Sequence, residues 1–396
     1  MHILTVNCGS SSLKFQVVDA DAGAAVLQGE VASIGRDARL RLAVGGERRE
    51  DAVEAADQAQ AAALVTLTLQ ETPHPPIDAV AHRVVHGGRF HEPLRLDAAG
   101  LAAIESAAAL APLHNGPALA AARAFATLLP DVPAVAVFDT AFHATLPEKA
   151  RRYAIDRELA DRHGIRRYGF HGLAHAYMAA RWSQLSGRAL TESRLITLQL
   201  GSGCSACAIA GGRSVDTSMG FTPLEGLVME TRSGDIDAAI VPFLSAAELV
   251  PAGTVESWLN ERSGLQGLAG RRDMRDLLAA EAKGDSDAAA AIEMFVYRVQ
   301  KYIGAYLMVL GGADAIVFGG GVGENAPEIR RRIVGALGWL GVDLDATANA
   351  GAAGIDARLS APASAIEVWA IAVDEGKMLA REAARVLSGT GVEAGS

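Results

Sequence analysis

The sequence predicts an α/β protein made of two related halves. Three observations carry that expectation. Residues 3–19, ILTVNCGSSSLKFQVVD, read as a strand, a turn of small polar residues and a second strand. LITLQL at 195–200 enters GSGCS and then ACAIA, which repeats the form in the second half. Helical patterns alternate with short buried strands that end in polar loops, the order of an α/β sheet. A turn needs one glycine and one polar residue. The first hairpin instead carries Asn7, Gly9, Ser10, Ser11, Ser12 and Lys14. Donors in such turns converge on anions. The plainer alternative is a pair of ordinary hairpin turns with glycine supplying positive φ.

The elements follow in chain order. Residues 1–50 read as strands, with alternation from Val31 to Val44 and a turn at Gly45-Gly46 before ERRED. Ala52–Glu71, rich in alanine, leucine and glutamine, reads as a helix. IDAVAHRVVHGG at 77–88 is a buried strand entering a polar loop. Ala98–Ala109 and Gly116–Leu129 read as helices, the second after the turn-like PLHNGP. AVAVFDTAFH is a buried strand ending at Asp139. After ACAIA, Gly211-Gly212 turns the chain into RSVDT, and helical patterns follow at Asp235–Leu249 and Asp287–Leu310. AIVF runs into GGGVGEN, a third glycine loop at 319–323, with a helix behind it. The Gly/Ala-rich segment 346–354 reads as a loop, and EVWAIAV as a last strand before a C-terminal helix.

Composition narrows the partners. A net charge of -10 argues against nucleic acid or an anionic membrane. An anionic ligand must therefore be held by local donors. The chain has 396 residues, half of them hydrophobic and 21% charged, enough for a large core in two or three domains. Cys8, Cys204 and Cys207 are too few for a disulfide framework and point to a reducing compartment. No signal-like N-terminus and no apolar run of about 18–20 residues is visible. The expectation is a soluble, cytoplasmic protein.

Several residues carry chemistry. The P-loop pattern is missing. GSGCSA at 201–206 matches the dinucleotide fingerprint in letters, but too few residues separate Gly203 from Gly211 for a crossover helix. Hairpin phosphate loops in two related halves suggest by analogy the fold shared by sugar kinases, actin and heat-shock ATPases. His82 and His86 sit four apart on a strand, which would not bring that pair together on one face as a helix does, and Cys204 and Cys207 make a single C-x-x-C. Neither supplies a four-ligand zinc site. Arg83 in HRVVHGG and Arg232 in TRSGD read either as a clamp on a transferring phosphoryl group or as surface salt bridges. Asp139 is a catalytic carboxylate or a turn cap. His171, in YGFHG, is a donor to a phosphoryl or acyl oxygen or a satisfied, partly buried histidine.

Ten stretches in order make the pattern specific. NCGSSSLKF, HRVVHGG, APLHN, FDTAFHATLP, RRYGFHG, SVDTSMGFTPLEGL, TRSGDID, RRDMRDL, GGGVGEN and DEGKMLARE span residues 7–382. Together they closely resemble the acetate and propionate kinase family. The resemblance implies two ribonuclease-H-like α/β domains of the sugar kinase and actin class. The first would be 1–144 plus the C-terminal helix 377–396, and the second, at 145–376, would bind nucleotide and form a homodimer. It implies magnesium-dependent, reversible transfer of the ATP γ-phosphoryl to acetate, by direct in-line attack, giving acetyl phosphate and ADP. Manganese would replace magnesium, and the product feeds acetyl-CoA biosynthesis.

Site roles follow only from that resemblance. Asn7 and Glu375 match the metal residues, and Ser10, Ser12 and Lys14 the first phosphate loop. Arg83 and Arg232 match the arginines that hold the carboxylate and the phosphoryl group, while Asp139 and His171 match the catalytic pair. Val85, Leu113, Phe170 and Pro223 match the pocket for the substrate methyl. Ser202 and Gly203 match the second phosphate loop, Asp273, Met274 and Arg275 the adenosine side, and Gly320, Gly321 and Asn325 the glycine loop beneath the nucleotide. The chain departs from the family pattern at Gln199, Ser202, Leu173, Ala174, Glu230 and Gly376. Those departures leave open a preference for propionate or a longer acid, another phosphoryl donor, and a non-catalytic nucleotide sensor of the same fold.

Overall fold

The computed structural model describes residues 1–108 and 112–389, without the side chains at 103, 106–108 and 112–114. The chain divides into two compact units. Unit 1 is Met1–Phe142 with Asp374–Ser396, and unit 2 is His143–Val373.

Unit 1 is built on eight strands: β1 His2–Cys8, β2 Ser12–Asp19, β3 Ala24–Ala32, β4 Arg39–Val44, β5 Glu47–Ala52, β6 Ala79–Val84, β7 Leu94–Arg95 and β8 Ala134–Phe138. Their order in the sheet is β5-β4-β3-β2-β1-β6-β8-β7. β1 to β5 form an antiparallel meander, while β1, β6 and β8 run parallel. β1 is central, and Ile3, Leu4 and Val6 are almost fully buried. β5, with sequence ERREDA, is exposed throughout. Charge on that edge discourages pairing with another chain. Helix Gln58–Glu71 lays Ala61, Ala62, Val65 and Leu69 into the core beneath β1 and β2. Helix Glu375–Leu387 returns from the far end of the chain and buries Met378, Leu379, Ala380 and Ala383 against the same sheet.

Unit 2 carries β9 Arg194–Leu200, β10 Cys204–Ala210, β11 Arg213–Thr217, β12 Ala315–Gly319, β13 Ala357–Arg358 and β14 Glu367–Ala370. The order is β11-β10-β9-β12-β14-β13. β9, β10 and β11 pair antiparallel, and β9, β12 and β14 run parallel. This matches β3-β2-β1-β6-β8 strand for strand, so the repeat of strand–glycine–strand hairpins is a repeat of topology. It is the ribonuclease-H-like pattern. Helix Ser286–Leu310 shows how the sequence sets its limits. The Asp285 side chain accepts from the N–H groups of Asp287 and Ala288, apolar residues recur at three- and four-residue spacing, and Gly311 closes the end at φ 66°.

The structure corrects several element expectations. The helix begins at Gln58, not Ala52, because Asp57 caps it and Glu47–Ala52 is strand. The alternating run from Val31 to Val44 is two strands broken by a turn in which Ser33 and Gly35 take positive φ. PLHNGP is not a turn: a helix runs from Pro112 to Leu128 with Pro117 inside it. The end expected at Ala109 for the preceding helix lies outside the described residues. Asp235–Leu249 is helical only over Ile240–Ala247. Residues 346–351 form a short helix, capped by the Asp345 side chain. The third glycine loop is itself a short helix, Gly320–Asn325. No helix among the described residues is long and apolar enough to cross a membrane.

Candidate active site

In each unit the sequence-predicted residues gather at the carboxyl ends of the parallel strands, where open α/β sheets bind ligands. Unit 1 brings four of them into one hydrogen-bonded cluster. Asn7 lies near the end of β1, Arg83 near the end of β6, and Asp139 just after β8, where its N–H donates to Val84 O at 3.1 Å. Glu375 opens the C-terminal helix. Arg83 Nε donates to Asp139 Oδ1 at 3.0 Å and Nη2 to Oδ2 at 2.5 Å, a bidentate fork. Arg83 Nη1 reaches Asn7 Oδ1 at 3.2 Å and Glu375 Oε2 at 3.4 Å. Asn7 Nδ2 donates to Glu375 Oε2 at 3.4 Å.

Asp139 is 1% exposed and both its oxygens are engaged with Arg83, so it orients the guanidinium rather than accepting a substrate proton. Burial alone would lower the Arg83 value, but the Asp139 and Glu375 carboxylates outweigh it and hold the guanidinium above its ordinary range. Burial, with Asp139 adding to it and Arg83 and Lys14 opposing, raises the Glu375 carboxyl above its ordinary value. The β1–β2 hairpin puts Lys14 directly across from Asn7. Ser10 and Lys14 are exposed, Ser12 is half-buried, and Gln58 Nε2 holds the turn through Ser10 O at 2.9 Å. A Cβ at Gly376 would meet the flexible end of the Gln16 side chain, which would have to shift.

Unit 2 collects a second set. Gly201–Gly203 is the turn between antiparallel β9 and β10, with no helix after it, so the dinucleotide fingerprint does not apply. A Cβ on Gly203 would lie 3.1 Å from His171 Cε1, 3.3 Å from His171 Nε2 and 3.7 Å from Arg232 Nη1. His171, Gly203 and Arg232 are therefore neighbours. Arg232 has no carboxylate partner among the described residues. Its Nη1 donates to Pro223 O at 3.2 Å, and burial pushes its guanidinium below the ordinary arginine value. His171 is held at φ 58°, a left-handed conformation that costs a non-glycine residue about 1–2 kcal/mol. It caps helix Gly172–Ser186 without a side-chain capping bond. Leu173 and Ala174, apolar departures in the first turn, are buried.

Gly320 has φ 76°, and a Cβ there would meet Leu200 O at 2.7 Å, so only glycine lets this loop lie against the end of β9. Glu324 Oε1 accepts from the N–H groups of Gly320 at 2.9 Å and Val373 at 3.1 Å, and burial raises its carboxyl. Asn325 Nδ2 donates to Gly321 O at 3.0 Å.

Of the other expected residues, some stand apart from these clusters and some adjoin them. Asp273 caps helix Met274–Glu281 and pairs with Arg275 at 2.5 Å, while Met274 is buried. Phe170 is buried in unit 2, beside His171, and Pro223 contributes its carbonyl to Arg232. Val85 follows β6 in unit 1. The Leu113 side chain lies outside the described residues. Cys8, Cys204 and Cys207 are free and buried, and burial raises the Cys8 and Cys204 thiols to about 12. No group of three or more His, Cys, Asp or Glu among the described residues could hold a metal on its own.

Sequence reasoning missed four residues around these loops. His175 and Ser205 form hydrogen bonds behind His171, and Thr197 lies behind them. Glu230, marked only as a departure, accepts from Ser202 Oγ at 3.0 Å and donates its N–H to Ser202 O at 3.2 Å. The four-residue spacing of His171 and His175 was the visible signal, because it places both rings on one side of a helix.

Comparison with known proteins fits this arrangement. Residues 2–381 match the model of the Acetokinase family. An acetate kinase of Pseudarthrobacter chlorophenolicus is 47% identical over 99% of this chain and all of its own length. One from Halothermothrix orenii is 45% identical over 98% of this chain and all of its own. Among solved structures, Porphyromonas gingivalis acetate kinase superposes with a TM-score of 0.91 at 36% identity, covering 98% of this chain and 99% of its own. A Francisella tularensis propionate kinase gives 0.91 at 37%, covering 96% and 98%. With a family model spanning nearly its whole length and full-length relatives above 40% identity, the chain belongs to the Acetokinase family.

Proposed function

We propose that this chain is an acetate kinase, which reversibly transfers the γ-phosphoryl group of ATP to acetate to give acetyl phosphate and ADP. Arg232 carries the reading. A guanidinium with no carboxylate partner among the described residues, desolvated by burial and beside the Gly203 turn and a histidine, is an uncompensated cation that an anion completes. The phosphoryl group supplies that anion. Arg83 holds the acetate carboxylate, and its plane is fixed in advance by the Asp139 fork. No strong base is required, because acetate is ionised at neutral pH. Charge on the equatorial phosphoryl oxygens is met by Arg232, His171 and backbone N–H groups. Ser10, Ser12, Lys14, Ser202, Gly203, Gly320, Gly321 and Asn325 bind the nucleotide phosphates, and Asp273, Met274 and Arg275 its adenosine side. Val85, Leu113, Phe170 and Pro223 limit the acyl chain.

The donor set fits a hard divalent cation. Asn7 offers an amide oxygen and Glu375 a carboxylate, both hard oxygen donors. One carboxylate and one amide suit magnesium, which keeps its waters and shares phosphate oxygens. Manganese would take the same donors. When bound, the cation offsets phosphate charge. We further propose a cytoplasmic homodimer joined through unit 2.

Curated relatives named acetate kinase support acetate as acceptor. The propionate kinase, as similar in structure as the acetate kinase, supports propionate as a second reading. Hydroxylamine trapping of acyl phosphate made from ATP and magnesium, with acetate, propionate and butyrate compared by kcat/KM, tests both. The highest value with acetate is expected. Preference for propionate or butyrate replaces the acceptor, and no product with any of the three overturns the kinase reading.

A further inference from the structure

Behind His171 runs a chain of three hydrogen bonds. Thr197 Oγ1 lies 2.7 Å from His175 Nδ1, His175 Nε2 lies 2.8 Å from Ser205 Oγ, and Ser205 Oγ lies 2.9 Å from His171 Nδ1. Thr197, His175 and Ser205 are each 0% exposed. Water cannot substitute for a missing partner there.

The direction of the chain follows from its far end. Among the described residues, Thr197 Oγ1 has one partner, His175 Nδ1. A hydroxyl has one proton and two lone pairs. Accepting from His175 would leave that proton stranded in the core, whereas donating leaves only lone pairs unused, the smaller penalty. Thr197 therefore donates to Nδ1. Burial first, with His143 and His171 nearby, holds the His175 imidazole well below its usual value and so neutral. Its single ring proton then sits on Nε2 and goes to Ser205. Ser205 accepts there and gives its own proton to His171 Nδ1. A neutral His171 is left with its proton on Nε2, the nitrogen that faces Gly203.

We propose that Thr197, His175 and Ser205 are positioning residues that fix His171 as a neutral imidazole with its proton on Nε2, so that His171 donates a hydrogen bond to a phosphoryl oxygen and does not serve as a base. The role assigned to that donor rests on the phosphoryl-transfer reading above. The titratable and charged groups packed around the ring are His175 on its own helix, His143 beside His175, Cys204 next to Ser205 on β10, and Arg232 across Gly203. Arg232 adds to the preference for the neutral ring, because a second cation beside it is unfavourable. The neutral ring lies at a helix N-terminus, where the partial positive charge acts in the same sense.

The direct test is the ring nitrogen spectrum of the intact enzyme labelled with 15N-histidine at pH 7.5, with His171 assigned by its loss in His171→Gln. A protonated Nε2 and a bare Nδ1 are expected. A protonated Nδ1, or an imidazolium at that pH, overturns the proposal. This readout needs no turnover, so it stands even if the chain makes no acyl phosphate, and that result would count against the phosphoryl-transfer reading alone.

Kinetics give an independent check. Protonating His171 leaves Nε2–H in place, so kcat with saturating substrates is expected to stay level through the imidazole range, roughly pH 6–8. Ser205→Ala removes the lock, and loss of one buried hydrogen bond lowers kcat at pH 8 by about 3- to 10-fold. Part of the loss returns at pH 6, where the imidazolium carries Nε2–H whatever its former tautomer. Ser205→Thr, which keeps the hydroxyl, retains kcat within about twofold of the unmodified enzyme. An equal loss for Ser205→Ala at both pH values would mean a merely structural role and would overturn the assignment.

Discussion

Replacing Arg83 by alanine should cost stability as well as turnover, for reasons contained in unit 1. Asp139 is 1% exposed and Glu375 about one-fifth exposed, and Arg83 is the cation within reach of both, at 2.5 and 3.4 Å. Removing the guanidinium leaves two carboxylates in poor contact with water. Breaking a buried pair from one side costs about 3–5 kcal/mol. At about 2–4 °C per kcal/mol for a domain of 150–250 residues, the melting midpoint should fall by about 6–20 °C. Arg83→Ala/Asp139→Ala removes the most buried stranded charge and should recover about half of that loss. Urea unfolding of the parent, both single variants and the double variant forms the cycle. A pH series adds a sign. Without Arg83, the Glu375 carboxyl loses the attraction that draws its raised value down. A raised carboxylate favours the fold below its ordinary value, 4.5, and that contribution is lost as pH rises through its folded value. The deficit of Arg83→Ala should therefore be largest at neutral pH and narrow on acidification. Losses that add within about 0.5 kcal/mol, or an Arg83→Ala protein as stable as the parent, would refute the reasoning.

Arg232→Ala should behave differently: kcat should fall roughly 10²-fold or more, while the unfolding free energy changes by less than about 1 kcal/mol, because no ion pair is lost. Substantial destabilisation in a denaturant series would show that its charge is structurally paired. Glu375→Gln should shift the magnesium titration of activity to higher concentrations, and an unchanged profile would remove Glu375 from the metal. His82, 1% exposed on β6 and lowered to about 4 by burial, should cost stability on acidification. Its folded value lies below the unfolded 6.5, so its contribution is present above pH 6.5 and is lost down to about 4, in total about 3 kcal/mol. Comparing parent and His82→Gln by urea unfolding at pH 7 and 5 isolates it; equal pH slopes would contradict the assignment.

Much of this architecture was legible because the signals were local. Two strand–glycine–strand hairpins implied a repeated sheet, and the helical pattern at Asp287–Leu310 lies within one residue of the true limits Ser286–Leu310. The failures also have local causes. Asn115-Gly116-Pro117 reads as a turn, but Pro112 is itself a helix-start residue, and the helix passes through. In 346–351 the glycine and alanine content hid the cap at Asp345. Side-chain partners were harder. Arg83 and Asp139 are 56 residues apart and are joined by the pairing of β6 with β8, while Asn7 and Glu375 are 368 apart and meet because the C-terminal helix packs on β1. Ser205 reads as part of the turn GSGCS, but it lies on β10. Only the register of β9 against β10 puts it beside Thr197 and His175.

The two units share a strand order, yet they surround their arginines differently. In unit 1 the cation is answered twice: Asp139 grips Arg83 from one side and Glu375 stands 3.4 Å away. Lys14 also acts on Glu375, so both carboxylates are drawn towards cations. In unit 2 the cation is answered by no carboxylate among the described residues, and its neighbours are the Pro223 carbonyl, the Gly203 turn and an imidazole. That cluster is completed by an anion. A repeated topology explains why both clusters sit at the ends of parallel strands, because the strand ends and turns are the same device used twice. It does not explain their charge. Part of the difference is the residue that follows the corresponding strand, Asp139 after β8 and Ile371 after β14. The shared strand order supplies the positions, and the side chains placed on them set the surroundings of each arginine.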